Sequence, residues 1–330
     1  MHNFEYLPGV TAAEYLDACR AHHPALYERL SLDRMLANRG TYQTSTVFEG
    51  SDKGGRGDTY RQTQVRYPLA RTRGIKALFD ALLPGGGAGK YVLDVLGGNG
   101  TLTHTMRLIT PPAELPEIFT GDAAGSMVTD ALARGYPTVR QLAQSLLLAD
   151  QTMDGVIFAY GTHHVPVPDR VTALREAHRV LRHGGRVLVQ DFVEHSPTAR
   201  WYSEVLEKYT LTGHDCVHFT EAGLAELLHE AGFADVRVSK VYDPCVVWAD
   251  SADEAWVELL QYLIDLFSLE RLRPKPGQDH WRMVRDLLSP YAEHLVDDGR
   301  LDPILVYPDG GRFAAELPRV ALVATGERPA

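Results

Sequence analysis

The residues best placed to do chemistry lie first in Tyr91-Val-Leu-Asp-Val-Leu-Gly-Gly-Asn-Gly-Thr-Leu-Thr103, where Asp94 precedes Gly97, Gly98 and Gly100. Glycines let backbone amides approach a ligand, and the start of a following helix favours a negative group. A carboxylate just ahead of the turn adds a place for a cationic amine. A second acid, Asp122 in Gly121-Asp-Ala-Ala-Gly-Ser-Met127, suits the hydroxyls of a ribose. Candidate bases are His163, His164, His195, His214 and His218. His163 is the best placed of these, in Asp154-Gly-Val-Ile-Phe-Ala-Tyr-Gly-Thr-His-His164, and His195 has Asp191 and Glu194 near it. Phe158 and Tyr160 can offer a ring face to a cation. Two imidazoles and a carboxylate in Gly213-His-Asp-Cys-Val-His218 have the composition of a facial triad for iron or zinc. Their spacing also suits a loop capping the next helix, and the expectation is that no metal is bound.

These residues need a frame of strands and helices. Tyr91–Leu96 reads as a buried strand, and Thr101–Ile109 as the helix after the glycine turn. Further strands are expected at Glu117–Thr120, Thr138–Arg140, Asp154–Tyr160, Arg186–Asp191, Val236–Tyr242 and Arg319–Thr325. Helices are expected at Ser126–Arg134, Asp169–Arg182 and Thr220–Phe233. Alternation of this kind predicts an α/β fold: Rossmann-like, doubly wound, with a mostly parallel seven-stranded sheet.

Two other segments fall outside the alternation. Residues 1–84 form a helical N-terminal extension, with a capping box at Thr11-Ala-Ala-Glu14 and a second start at Ser31. Within it, Glu49–Asp58 is a glycine-rich loop flanked by Tyr42 and Tyr60, and a helix is expected from Tyr67 to Leu83 with Arg66, Arg71 and Arg73 near its start. Residues 85–248 make the core, 249–300 a helical insertion, and 301–330 the final strand or strands. The stripe Trp256, Leu259, Leu260, Tyr262, Leu263, Leu266 and Phe267 in that insertion must be buried against something. Both additions are expected to meet over the carboxyl ends of the strands and close an acceptor pocket.

Several alternatives fail on spacing. A nicotinamide fingerprint needs glycine at position 103, which is Thr103. Gly85–Lys90 nearly spells a phosphate loop, but Tyr91 replaces the hydroxyl residue and the glycines precede the strand. A formal charge of -10 over 330 residues argues against a nucleic-acid backbone as partner. Cys19, Cys216 and Cys245 are far apart, as in a reduced cytosolic chain. No signal peptide or membrane-length apolar run is seen, so a soluble cytoplasmic protein without a membrane partner is expected.

Taken together the motifs resemble those of class I SAM-dependent methyltransferases acting on small molecules of specialised metabolism. Asp94–Gly100 resembles motif I, with Leu96 where the family usually has its first glycine. Gly121–Met127 resembles the second motif, Asp154–Val165 the fourth-strand motif, and Arg179–Val189 the approach to strand five, with His183 in place of proline. Phe219-Thr and Ala231-Gly-Phe233 resemble the segment before strand six. The resemblance implies S-adenosyl-L-methionine as cofactor and S-adenosyl-L-homocysteine as product. It implies cofactor contacts at Asp94, Gly97, Gly98, Gly100, Asp122, Ala123, Met127, Gln144, Ser145 and Tyr160. Catalytic roles fall to His163, Tyr160 and His195. The implied activity is methyl transfer to a small-molecule acceptor, probed against two alternatives: a non-methylating cyclase, and a non-catalytic SAM-binding partner subunit. A homo-oligomer is also expected.

Overall fold

The computed structural model describes residues 4–40, 48, 56–210, 216–273, 280–294 and 304–330. Chain order gives strands β1 (Tyr91–Asp94), β2 (Glu117–Asp122), β3 (Thr138–Arg140), β4 (Met153–Phe158), β5 (Leu181–Asp191) and β6 (Ala234–Tyr242). Three more, β7 (Cys245–Ala249), β8 (Leu305–Asp309) and β9 (Arg312–Leu317), precede the last, β10 (Val320–Glu327). The main sheet has seven strands in the order β3-β2-β1-β4-β5-β10-β6. All neighbours from β3 to β5 are parallel, whereas β10 runs antiparallel to both β5 and β6. The order reverses beside β1, so a crevice opens there at the carboxyl ends of the strands. Central strands carry Val92, Leu93, Phe119, Val156, Ile157, Val187 and Leu188, all fully buried, because helices cover both faces of a parallel sheet.

The covering helices are α1 (Ala12–His22), α2 (Gly57–Arg66), α3 (Thr72–Leu82), α4 (Thr101–Ile109), α5 (Gly125–Ala133), α6 (Arg170–Val180), α7 (Glu221–Glu230), α8 (Ala252–Phe267) and α9 (His280–Leu288). Helix α1 has the expected capping box, and Ser31 caps the short helix Leu32–Ala37. The single helix expected from Tyr67 to Leu83 is instead a break followed by α3. Pro68 has no amide to donate and disfavours helical backbone at Tyr67, so α2 stops at Arg66 and α3 restarts at Thr72.

The N-terminal extension divides in two. Its first part is bound into the main core, where Tyr6, Tyr15, Leu16 and Leu26 are buried with Phe119 and Val139. The Tyr6 and Tyr15 hydroxyls donate to the carbonyls of Arg140 (2.6 Å) and Thr138 (2.8 Å), which braces the edge strand β3. Of its second part, Phe48, α2 and Arg71 face the carboxyl ends of the strands, whereas α3 packs on a face of the sheet, with Ile75, Leu78, Phe79 and Leu82 buried beside Val92, Ile157 and Leu188. Tyr42 and most of the glycine-rich loop lie outside the described residues.

The segment after β6 contains a second sheet that the sequence reading did not anticipate. Strands β8, β9 and β7 pair antiparallel in that order. The missed signal is Asp309-Gly-Gly-Arg312, where Gly310 (φ 58°) and Gly311 (φ 84°) take the left-handed turn that joins β8 to β9. Helix α8 buries Leu259, Leu260, Tyr262, Leu263 and Leu266 in one cluster with Val247 of β7 and Ala315 of β9. It also meets the residue that ends α2: the Tyr67 and Tyr262 rings lie edge to face at 5.3 Å, and the Tyr67 hydroxyl donates to Glu258.

Candidate active site at the carboxyl ends of the strands

A cavity of about 350 Å³ opens above β1, β2 and β4. Its walls include Leu96, Gly97, Gly98, Asp122, Ala123 and Met127 on one side. Gln144, Tyr160, His164, Tyr60, Arg71 and Phe48 close the other. A tighter chamber of about 30 Å³ lies alongside, lined by Arg56, Tyr60, Arg71, Tyr160, His163, His164, Tyr202, Phe267 and Arg319.

The glycine turn works differently from the amide cradle its residue types suggest. The Gly97 amide donates to the Gly121 carbonyl (2.8 Å), Gly98 to Asp122 Oδ2 (2.9 Å), and Gly100 to the Gly97 carbonyl (2.9 Å). Those three amides are engaged within the protein, so the glycines act by lacking a side chain. At Gly98 (φ 56°) a Cβ would project into open space, with only Met127 Sδ at 4.0 Å. At Gly97 a Cβ would strike the Asp94 carboxylate and Thr120 at 2.6 Å. Gly100 (φ 83°) lies off the cavity; there a Cβ would strike the Tyr136 ring at 2.4 Å, so this glycine serves packing at the start of α4.

Asp122 is the organising acid. Besides the Gly98 amide, its Oδ1 accepts from the Ala124 amide at 2.8 Å, so one carboxylate ties the glycine turn to the start of α5. A carboxylate offers about four lone-pair sites, so it can accept more than these two amides. Asp94 is buried beneath the turn and does not line the cavity. Burial, then the neighbouring Asp122 carboxylate, pushes its carboxyl well above the usual range, offset only in part by the Leu96 amide. Neither oxygen has a full hydrogen bond. Ser145 also lies off the cavity, donating to Asn38 Oδ1 at 2.8 Å.

Tyr160 stands between the two spaces in a left-handed conformation (φ 58°) that is costly for a tyrosine. Three contacts hold it there. Its amide donates to Gln190 Oε1 (2.7 Å), its hydroxyl donates to Asp243 Oδ1 (2.9 Å), and the Arg71 guanidinium sits 4.4 Å from its ring centre. The Asp243 carboxylate also pairs with Arg319 at 2.9 Å.

His163 sits in the short turn after β4 and meets Asp191 at the end of β5. Its Nδ1 lies 3.0 Å from Asp191 Oδ2, and its backbone amide donates to the same oxygen at 2.7 Å. His218, before α7, brings its Nδ1 to 3.0 Å from Asp191 Oδ1. Burial alone would raise the Asp191 carboxyl; the two imidazoles more than offset it and hold it well below the carboxylate range. The sequence pointed to His163 but missed that Asp191 and His218 join it. No local spacing signals that, because the three come from separate segments of the chain. His163, Asp191 and His218 have the donor set that could hold a divalent ion, as do His163, His164 and Cys216. His214 and Asp215 lie outside the described residues. His195 is 89% exposed beside Glu194 and does not line either space, so the structure separates it from His163.

The comparisons with known proteins fit this geometry. A family profile described as a methyltransferase domain matches residues 93–189, from β1 to β5. Residues 93–189 thus carry a methyltransferase domain of the SAM-dependent kind. Curated relatives include the ubiquinone/menaquinone biosynthesis C-methyltransferase UbiE of Allorhizobium ampelinum, 32% identical over 47% of this chain and 64% of that protein. The enzyme of the same name from Rhizobium meliloti is 27% identical over 62% of this chain and 92% of its own length. In the first two relatives the match spans 64% and 51% of their length. Among solved structures, phosphoethanolamine N-methyltransferase 2 of Haemonchus contortus, in complex with S-adenosyl-L-methionine, covers 90% of this chain and 60% of its own. It has a TM-score of 0.50 and 15% identity, a likeness of fold. S-adenosyl-L-methionine is the family's cofactor. The cavity fits it: a side-chain-free turn at Gly97–Gly98, an acid at the end of β2, and apolar Ala123 and Met127 next to it.

Proposed function

We propose that this chain transfers a methyl group from S-adenosyl-L-methionine to a small-molecule acceptor, an intermediate of specialised metabolism, in the cytoplasm. The observation that carries the reading is a shared wall: Phe48, Tyr60, Arg71, Tyr160 and His164 line both the cavity above Gly97–Asp122 and the histidine-lined chamber. When bound, S-adenosyl-L-methionine supplies an electrophilic methyl group on a sulfonium. Gly98, Asp122 and Met127 are the residues that would hold it. The remaining work is alignment and dryness, which account for much of the rate in such a displacement. Phe48, Tyr60 and Tyr202 exclude water from the reacting end, and the face of Tyr160 favours positive charge beside it.

The acceptor's proton is the one job that needs a base. With Nδ1–H donated to Asp191, His163 presents Nε2 as its basic nitrogen, and the carboxylate steadies the imidazolium that forms. A base held in this way suits an acceptor that loses a proton as the new bond forms, as in C-methylation, the activity in the relatives' name. Two measurements test the reading: release of S-adenosylhomocysteine with acceptor present, and its loss in His163→Asn with cofactor affinity retained. Cofactor binding without any transfer would favour the non-catalytic alternative.

A further inference from the structure

The inner chamber is built for an anion. Three guanidinium groups line it: Arg56, Arg71 and Arg319. Arg319 has its carboxylate, Asp243. Arg71 is only 6% exposed, yet it forms no ion pair among the described residues; its hydrogen bond is to the Tyr60 hydroxyl at 3.3 Å. Arg56 stacks 4.8 Å from the Phe48 ring, and its Nε is buried without a hydrogen-bond partner. The other acid close by, Asp191, already accepts from two backbone amides and faces two imidazoles. Cations this shielded are costly to keep without a partner, and arginine's planar fork matches a carboxylate. The tyrosines around them do not supply the charge, because burial pushes the hydroxyls of Tyr160, Tyr202 and Tyr262 further up.

Resting on the methyltransferase reading above, we propose that the acceptor is a small carboxylate whose anionic group sits on Arg71 and Arg56. Free space of about 30 Å³ admits one small planar group and no ring. The body of the acceptor therefore extends past Tyr160 and His164 into the larger cavity. Seated so, the carboxylate orients the adjoining atoms between His163 on one side and the cofactor cavity on the other. This explains why Arg71 is placed at the break before α3 and held over Tyr160: the same side chain braces the strained tyrosine and reads the acceptor.

The test uses the full chain saturated with S-adenosylhomocysteine and matched probes. These are three-to-nine-carbon monocarboxylates, each paired with its primary amide, titrated by calorimetry and thermal shift. The expected result is saturable binding of at least one acid and at least tenfold weaker binding of its amide. Arg71→Gln and Arg56→Gln should each weaken the acid at least tenfold. Because Arg56 lines only the inner chamber, Arg56→Gln should leave S-adenosylhomocysteine affinity within twofold; Arg71→Gln should weaken the acid more than it weakens S-adenosylhomocysteine, and Arg71→Lys should recover part of the loss. Inorganic phosphate should not compete. Amides that bind as well as acids would overturn the proposal, and so would acid binding unchanged in both glutamine variants or phosphate as the better ligand. If S-adenosylhomocysteine itself fails to bind, the underlying methyltransferase reading fails; if it binds and charge makes no difference, only the anionic acceptor is lost.

Discussion

Replacing Asp122 by alanine probes the cofactor side of the site. The carboxylate accepts two backbone amides, at 2.9 Å from Gly98 and 2.8 Å from Ala124. Hydrogen bonds to a charged group contribute about 1.5–3 kcal/mol each, and a half-buried amide left unpaired costs roughly 1–3 kcal/mol. The substitution therefore loosens the Gly97–Gly98 turn and removes the acceptor for the ribose hydroxyls. Part of the loss appears in folding, because both amides are released. The part seen in binding should be about 1–3 kcal/mol, which is roughly a five- to 150-fold weaker cofactor at about 1.4 kcal/mol per tenfold. Asp122→Asn keeps one acceptor oxygen and should lose less. Calorimetric titration with S-adenosylhomocysteine separates the two variants, with the melting temperature recorded alongside. A folded Asp122→Ala protein binding within twofold of the parent would refute the reasoning and remove Asp122 from the site.

Other substitutions follow from the same geometry. Gly98→Val should abolish measurable cofactor binding in the same titration, because its side chain is strained at positive φ and occupies the open cavity. Gly100→Ala should lower the melting temperature, since its methyl meets the Tyr136 ring, with cofactor binding reduced only through that loss. His195→Ala should leave transfer unchanged within twofold, as befits an exposed side chain; a large fall in kcat would return it to the site. Asp191→Asn should destabilise the fold most above about pH 4, the ordinary aspartate range. The depressed carboxyl contributes stability above its unfolded value, and that stability is lost as pH falls through the folded one, so the difference between parent and variant should shrink in acid. A difference that grows on acidification, followed by chemical denaturation, would contradict the assignment.

Much of the frame was legible because it obeys local rules. Buried parallel strands are apolar runs, caps such as Thr11–Glu14 and Ser31 sit where their side chains can bond, and the acid of β2 is the last residue of its strand. The break at Tyr67–Arg71 was also local, through Pro68, but was overridden by the apolar pattern on either side. The small sheet was missed because β7 lies next to two strands far along the chain, and only the Gly310–Gly311 turn marks it. The reading of Gly97–Gly100 as an amide cradle failed for a different reason. Residue types show that the amides can approach a ligand, while their partners, Gly121 and Asp122, come from the neighbouring strand. The same holds for the catalytic side. His163 could be singled out by position, but Asp191, His218 and the buried arginines lie far apart in the chain and come near it only in the fold.

Cutting away Met1–Tyr60 illustrates that point. The N-terminal extension, expected to help close the acceptor pocket, is not separable from the core, because Tyr6, Tyr15 and Leu26 are buried in it. The truncation should therefore unfold the sheet edge, and the lid is better tested at Tyr60→Ala, which should reduce turnover while sparing cofactor affinity.

The most direct test of the account is a crystal structure of the chain with S-adenosylhomocysteine. The account predicts one molecule against Gly97, Gly98, Asp122 and Met127, with its sulfur directed toward Tyr160 and the arginine-lined chamber. Density for the ligand elsewhere, or a sulfur facing away from that chamber, would contradict it.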